Sequence, residues 1–170
     1  FGVDIDRYDR QCDHLMIIEK STGDCVSCYR LNSNLYSDKF YSEKEFHLGR
    51  VPDQRGPLLE IGRACIKKEH RNSNMMGLIW EGIYLYVMKI GARHIFGCSS
   101  IMTVNPEEIA VVHLYLTRHK NYRDDMGVTP KGRFRIKWLR EKADEIAGID
   151  RALIDRRGEA LQPGTEVQQE

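Results

Sequence analysis

The longest ordered pattern of apolar and polar positions runs from Leu58 to Gly91. Leu58–Ile66 is an apolar run with two charges set in it, Glu60 and Arg63, and reads as a strand. A polar turn over Lys67–Asn74 follows. Met76, Ile79, Ile83, Val87 and Ile90 then recur in steps of three and four, which predicts a helix with one apolar face. A strand that enters a helix through a polar turn presents backbone N–H groups at the helix N-terminus, where negative charge, phosphate above all, is favoured.

The rest of the chain supplies the partners for this unit. His14–Lys20 predicts a strand, Ser21–Asp24 a tight turn around Gly23, and Cys25–Asn32 a return strand, so the three form a hairpin. The connection from Ser33 to Pro57 is long and interleaves Tyr36, Phe40, Tyr41 and Phe46 with polar residues. A loop of this length in a small domain is usually functional or disordered. Its aromatics predict a partly ordered cover over a pocket, with a short helix in Tyr41–Leu48 and with Phe40 and Phe46 turned to the core. Arg93–Ile101 predicts another strand. Asn105-Pro106-Glu107-Glu108 is a helix start, with Asn as cap, Pro at the first helical position and acids in the first turn. Ile109, Val112 and Leu116 continue that helix to about Lys120, and Arg133–Ala147 carries a weaker helical signal. Strand, strand, strand, helix, strand, helix is the order of an α/β (α+β) fold with a mixed sheet. The expected organisation is a single domain over 1–150 and a flexible tail over 151–170.

Composition adjusts this picture in three places. With 41% hydrophobic and 30% charged residues the chain can bury a core, and its net charge of +1 points neither toward nor away from nucleic acid. Charge is uneven, however: Arg118–Lys142 holds nine Lys or Arg against three acids, which is either a solvated surface or a docking face for an acidic partner. The five cysteines are scattered among apolar residues, the pattern of buried free thiols in a reducing, cytoplasmic setting. Cys25-x-x-Cys28 lies within a strand, where residues three apart face opposite ways, so no metal is expected. Asp4, Asp6 and Asp9 surround Tyr8; they suit a metal, a substrate amine or a polar turn, and their spacing favours the turn. The sequence carries no signal peptide and no transmembrane run.

Three blocks resemble a known family. They are Asp4-Ile5-Asp6-Arg7-Tyr8-Asp9 with Cys12-Asp13-His14-Leu15, Ser27-Cys28-Tyr29-Arg30-Leu31, and Leu59-Glu60-Ile61-Gly62-Arg63-Ala64-Cys65-Ile66. Their order resembles the GNAT acyltransferase superfamily, in the branch that uses long-chain acyl donors: acyl-homoserine-lactone synthases, ornithine-lipid N-acyltransferases and N-acyl amino acid synthases. Phe40-Tyr41-Ser42-Glu43 and Gly97-Cys98-Ser99-Ser100 are most similar to the lipid-synthesising members. The resemblance implies a mostly antiparallel central sheet flanked by helices, with the family's first strand and helix missing before Phe1. It implies an N-acyltransferase that moves a fatty acyl group, 3-hydroxy among the options, from an acyl carrier protein or CoA thioester to the amine of an amino acid or related acceptor.

The residues alone allow Glu60 a structural salt bridge to Arg63 or Arg30 as readily as a catalytic role, and favour Tyr115 as a tyrosine packed at a helix surface. The same resemblance implies Glu60 as the general base and Tyr115 as the group that protonates the leaving thiol. Asp6, Asp9, Arg30 and Arg63 form a charged cluster at the acceptor. Ala64, Ile66, Arg71 and Asn74 hold the phosphopantetheine of the donor, and backbone N–H groups over Gly62–Cys65 steady the oxyanion. Arg71-Asn72-Ser73-Asn74-Met75-Met76 departs from the superfamily's phosphate loop, Gln/Arg-x-x-Gly-x-Gly/Ala, at both small positions. Side chains there restrict backbone approach to a pyrophosphate, which suits a carrier protein with its single phosphate. No cofactor is expected to stay bound; acyl-phosphopantetheine is a co-substrate. The expected partners are acyl carrier protein and a small amine, with peripheral membrane contact at the inner surface and no nucleic acid. The alternatives are an ordinary CoA-dependent acetyltransferase and a non-catalytic module of the same fold.

Overall fold

The computed structural model describes residues 4–119, 124–148 and 151–160. The chain divides into two compact units, Phe1–Cys98 and Ser99–Glu170.

The first unit is a four-stranded sheet with a helix on one face. Strands β1 (Asp13–Ile18), β2 (Cys25–Ser33), β4 (Leu58–Ile66) and β5 (His94–Phe96) lie in the order β1-β2-β4-β5; β3 is the two-residue Phe46–His47. β1 pairs antiparallel with β2 and β2 with β4, while β4 and β5 are parallel. Gly23, at φ 78°, closes the β1–β2 hairpin in the left-handed region that suits glycine. Helix α1 spans Ser73–Ile90. The Asn72 side chain caps it by accepting the Met75 N–H, and it ends at Gly91 with φ 66°.

Val26, Leu31 and Leu59 of the sheet pack on Met75, Ile79 and Ile83 of α1, with Leu15 and Ile17 beside them. The expected apolar stripe is present with one change at its head. Met75 is buried, and Met76 is 44% exposed. Four-residue steps back from Ile83 and Ile79 arrive at Met75, so helix phase selects it over its neighbour.

The expected short helix at Tyr41–Leu48 is a single 3-10 turn, Tyr41–Lys44, followed by β3. Phe40, Leu48 and Leu58 make a second core, flanked by Phe46, Val51 and Phe96. β5 is also shorter than the run Arg93–Ile101. Its pairing with β4 stops at Glu60 opposite Phe96. At the next residue, Gly97, a Cβ would lie 2.2 Å from the Ile61 carbonyl oxygen, so only a glycine lets the chain pass there. Beyond Glu60, β4 continues to Ile66 without β5 alongside.

Two irregularities interrupt the two-residue alternation. Ile17 and Ile18 face Ser27 and Cys25, so β2 carries an extra residue there. Cys28 faces Cys65 while Arg30 faces Gly62, so β4 carries an extra residue between Gly62 and Cys65. Arg63 in this bulge has φ 51°. The cysteines were expected to be buried. Instead Cys25, Cys65 and Cys98 are exposed and Cys12 and Cys28 half-buried, all as free thiols. The bulge at Cys25–Ser27 shifts the face on which β2 residues emerge, a break that spacing does not reveal.

In the second unit, α2 (Pro106–Arg118), α3 (Leu139–Ile146) and α4 (Arg151–Ala160) bury Ala110, Val111, Ala143, Ile146 and Ile154. Asn105 caps α2 through the Glu107 N–H, as its sequence predicts. The signal over Arg133–Ala147 resolves into a 3-10 turn at Gly132–Phe134 and the shorter α3. The stretch read as a tail begins with α4; residues 161–170 lie outside the described residues.

Candidate active site

Arg30 on β2 is only 4% exposed. Its Nη1 donates to Asp6 Oδ1 at 2.9 Å and to Asp9 Oδ1 at 3.0 Å. The guanidinium lies over the Tyr8 and Tyr41 rings, 5.6 and 5.3 Å from their centroids, a cation–π setting that suits arginine. The two acids are held by the backbone as well: Asp6 Oδ1 accepts the Tyr8 N–H at 2.7 Å and Asp9 Oδ2 the Asp6 N–H at 2.7 Å. Burial acts to raise the Asp6 carboxyl, but the Arg30 and Tyr8 hydrogen bonds outweigh it and hold it below the usual carboxylate range. The Asp6 N–H does most to lower Asp9, and Arg30 adds to it against the effect of burial. Arg30 is therefore already spent on two carboxylates of its own chain.

Glu60 on β4 is 5% exposed and sits under the Tyr41–Lys44 turn. One oxygen accepts the Ser42 N–H and the Ser42 hydroxyl, each at 2.6 Å. The other accepts the Tyr41 N–H at 2.7 Å and the Asn32 amide at 3.4 Å. A buried carboxylate satisfied in this way is an anchor for the turn. The Cys98 thiol donates to Ser42 Oγ at 3.3 Å, and burial pushes that thiol's pKa up. Beside Glu60, the buried Asn32 Oδ1 has no partner among the described residues.

A cleft of about 860 Å³ opens on the sheet face opposite α1. Asp9, Arg30, Arg63 and Ala64 line it, together with His14 and Arg10, which were not legible as site residues. Strand register could have pointed to His14, since it faces Arg30 across the hairpin; its Nε2 is 3.6 Å from Asp9 Oδ1. Arg63 is the more accessible cation. Its side chain is 32% exposed, pairs with Asp4 Oδ2 and lies 4.0 Å from Asp6 Oδ2.

The structure thus brings Asp6, Asp9, Arg30, Arg63 and Ala64 together. Glu60 is not among the residues lining the cleft. Ile66, Arg71 and Asn74 stand where β4 runs into α1, with Arg71 Nε donating to the Ile66 carbonyl at 3.1 Å. Tyr115 belongs to α2 of the second unit, where its ring lies 4.4 Å from that of His119. Among the described residues no cluster of His, Cys, Asp and Glu could hold a metal ion, and no helix is long and apolar enough to cross a membrane.

Chemically, the bulge matters most. Arg63 and Ala64 oppose a single β2 residue, Tyr29, and β4 lacks its β5 neighbour at this level. Unpaired strand N–H groups beside a cleft can receive a developing oxyanion.

The chain is similar in sequence to known proteins. Residues 1–81 match the acetyltransferase (GNAT) domain family. The L-ornithine N(alpha)-acyltransferase of Rhizobium meliloti (strain 1021) is 35% identical over 140 residues, 75% of this chain and 47% of that protein. The protein of the same name from Brucella abortus (strain 2308) is 32% identical over 135 residues, 74% of this chain and 48% of its own length. The one from Agrobacterium fabrum is 34% identical over 125 residues, 66% of this chain and 42% of its own. The chain spans about half the length of these relatives.

Two outcomes follow from the buried charges. Arg30→Met takes from two carboxylates the buried cation that hydrogen-bonds both and should cost about 3–5 kcal/mol at neutral pH. Both carboxyls have lowered values in the folded state, so the stabilisation they supply is complete above their unfolded value of about 3.9. It disappears as pH falls through the lower folded values. The gap between wild type and Arg30→Met in urea unfolding should therefore be full at pH 7 and shrink below about pH 4; a gap independent of pH would contradict the pairing. Glu60→Gln sets an amide NH₂ against donors from Tyr41, Ser42 and Asn32. It should lose about 1–3 kcal/mol of stability along with activity. Unchanged urea unfolding would show that Glu60 does not hold the turn.

Proposed function

The chain carries a GNAT acetyltransferase domain and is kin to ornithine Nα-acyltransferases over most of its length, and on that premise we propose that it acts as an N-acyltransferase. It moves a fatty acyl group from a carrier-protein or CoA thioester to the amine of an amino acid or related acceptor, in lipid or signal synthesis. The observation that carries this reading is the β4 bulge at Arg63, opening onto a cleft with charged walls where β4 has left β5.

In the proposed reaction the acceptor's amine attacks the thioester carbon. The C–N bond forms, the C–S bond breaks, and N–H groups of the bulge hold the oxyanion. The amine's proton passes to Glu60 through a water that the free Asn32 Oδ1 is suited to hold. One of the four hydrogen bonds on Glu60 must open for this, which makes the anchor and the base the same group. The departing thiolate takes up a proton from solvent. Arg63, accessible where Arg30 is not, binds the acceptor carboxylate by its fork. Asp6 and Asp9 set the cluster's shape through Arg30.

The donor's phosphopantetheine lies along Ala64 and Ile66 toward Arg71 and Asn74. Asn72 already caps α1 there, and Asn74 and Met76 stand in its first turn where the superfamily's phosphate loop has small residues. Their side chains restrict backbone approach to a pyrophosphate, which favours a carrier protein's single phosphate over CoA. In the second unit, a cleft of about 620 Å³ is lined by Arg133, Arg135 and Lys137 with Val104, Ile136 and Trp138. A lining that mixes basic and apolar side chains suits the surface of an acidic carrier protein. Lys120 and Arg123 of the basic segment lie outside the described residues. An amphipathic product fits an enzyme working at the inner membrane surface.

Steering between exposed charges is screened over a Debye length of roughly 8 Å at physiological salt. Added salt should therefore lower kcat/KM for an acyl-carrier-protein donor far more than for acyl-CoA of the same chain length. Reversal of Arg133 and Arg135 to Glu should do the same at low salt, selectively for the carrier protein. Equal kcat/KM for the two donors with the same salt slope would turn the reading toward an ordinary CoA-dependent acyltransferase.

A further inference from the structure

The open sheet face carries two thiols that neither the fold nor the proposed chemistry uses. Cys28 on β2 and Cys65 on β4 are direct register partners in an antiparallel pair. Cross-strand partners project from the same face of a sheet, and both cysteines line the same cleft. Directly opposed residues in such a pair have Cα atoms about 4.5–5.5 Å apart, within the roughly 4.4–6.8 Å that a disulfide spans. Both are free, Cys65 exposed and Cys28 half-buried. The bulged register next to them, between Cys28 and Arg30, is the local slack that a rigid ladder would lack.

The geometry points to Cys28 and Cys65 as a dithiol modification site that closes to a cross-strand disulfide on the cleft floor when it meets a low-molecular-weight disulfide. Cys65, the more exposed sulfur, attacks first. Its S–H proton is lost, one S–S bond of the reagent breaks, a mixed disulfide forms at Cys65, and one reagent thiol leaves with that proton. Cys28 then attacks the Cys65 sulfur and expels the second reagent thiol, which takes the Cys28 proton. The protein loses two electrons and two protons, and the reagent is reduced to two thiols. Cys28 is the slower partner for a physical reason: burial first, then the neighbouring Cys25 and Cys65 sulfurs, push its thiol up. The same neighbours show that Cys25 is the competitor for either sulfur. Cys12, raised to about 11 mainly by burial, is a poor one. A disulfide exposed to solvent on a cleft floor is readily reduced again, the property of labile rather than structural bridges.

The test is a peptide map. The protein is incubated with oxidised glutathione, remaining thiols are alkylated, and the tryptic digest is sequenced by mass spectrometry without reduction. The expected product joins Ser21–Arg30 to Ala64–Lys67, with fragment ions that place the bridge on Cys28 and show Cys25 alkylated. Cys25→Ser should leave the bridge intact, Cys65→Ser should abolish it, and dithiothreitol should restore both free thiols. A bridge from Cys25, a glutathione adduct that never resolves, or complete alkylation of both cysteines after oxidation would each overturn the assignment. None of these readouts depends on acyl transfer, so the site stands or falls separately from the proposed reaction.

Discussion

Two buried opposite charges on adjacent strands organise the first unit, and they do not pair with each other. Arg30 on β2 turns to the N-terminal segment and takes Asp6 and Asp9. Glu60 on β4 turns to the aromatic connection and takes the N–H groups of Tyr41 and Ser42. A charge moved out of water is tolerated only when its lone pairs or protons are satisfied, so each residue obliges one irregular segment to fold onto the sheet. The two segments then meet through the Tyr8 and Tyr41 rings, 5.8 Å apart and edge-on, with Arg30 and Lys44 over both. Segments with little regular structure thus acquire a fixed shape.

This division of labour decides what is left for a substrate. Arg30 is committed to the chain itself, and Glu60 is held by the Tyr41–Lys44 turn unless one of its hydrogen bonds opens. Arg63, Arg10, His14 and the β4 bulge face the cleft and remain accessible. Arg63 contributes twice. Its backbone, at φ 51°, occupies the left-handed region that costs a non-glycine residue roughly 1–2 kcal/mol, and its side chain supplies the cation. Backbone strain of this kind concentrates at functional positions, and here it coincides with the place where β4 separates from β5.

Much of the fold was legible because it rests on local periodicity. The β1–β2 hairpin, β4, α1 and the Asn105 cap all follow from alternation, helical spacing or capping chemistry. What was not legible depends on register or on contacts far apart in sequence. The bulge in β2 exposes Cys25 where a regular strand would not. The choice of Met75 over Met76 is a matter of helix phase. The end of β5 is set by Gly97 against the Ile61 carbonyl, a steric fact absent from the run of β-forming residues around it. For the site, Glu60 and Arg63 stood out as charges in an apolar run, while Asp6, Asp9 and Arg30 entered as site residues only through the family resemblance. That Asp6 and Asp9 would both bind Arg30, and that Glu60 would bind backbone rather than a cation, required the fold.

The most direct measurement is product analysis with the purified protein, L-ornithine and a long-chain acyl thioester. The expected result is an N-acyl amino acid identified by mass spectrometry, with one free thiol released for each amide formed and no product when the amine is withheld. Thiol release that is independent of the amine, or no turnover by folded protein with any acyl thioester and amino acid acceptor, would contradict an N-acyltransferase and leave a GNAT-like domain that binds without acylating.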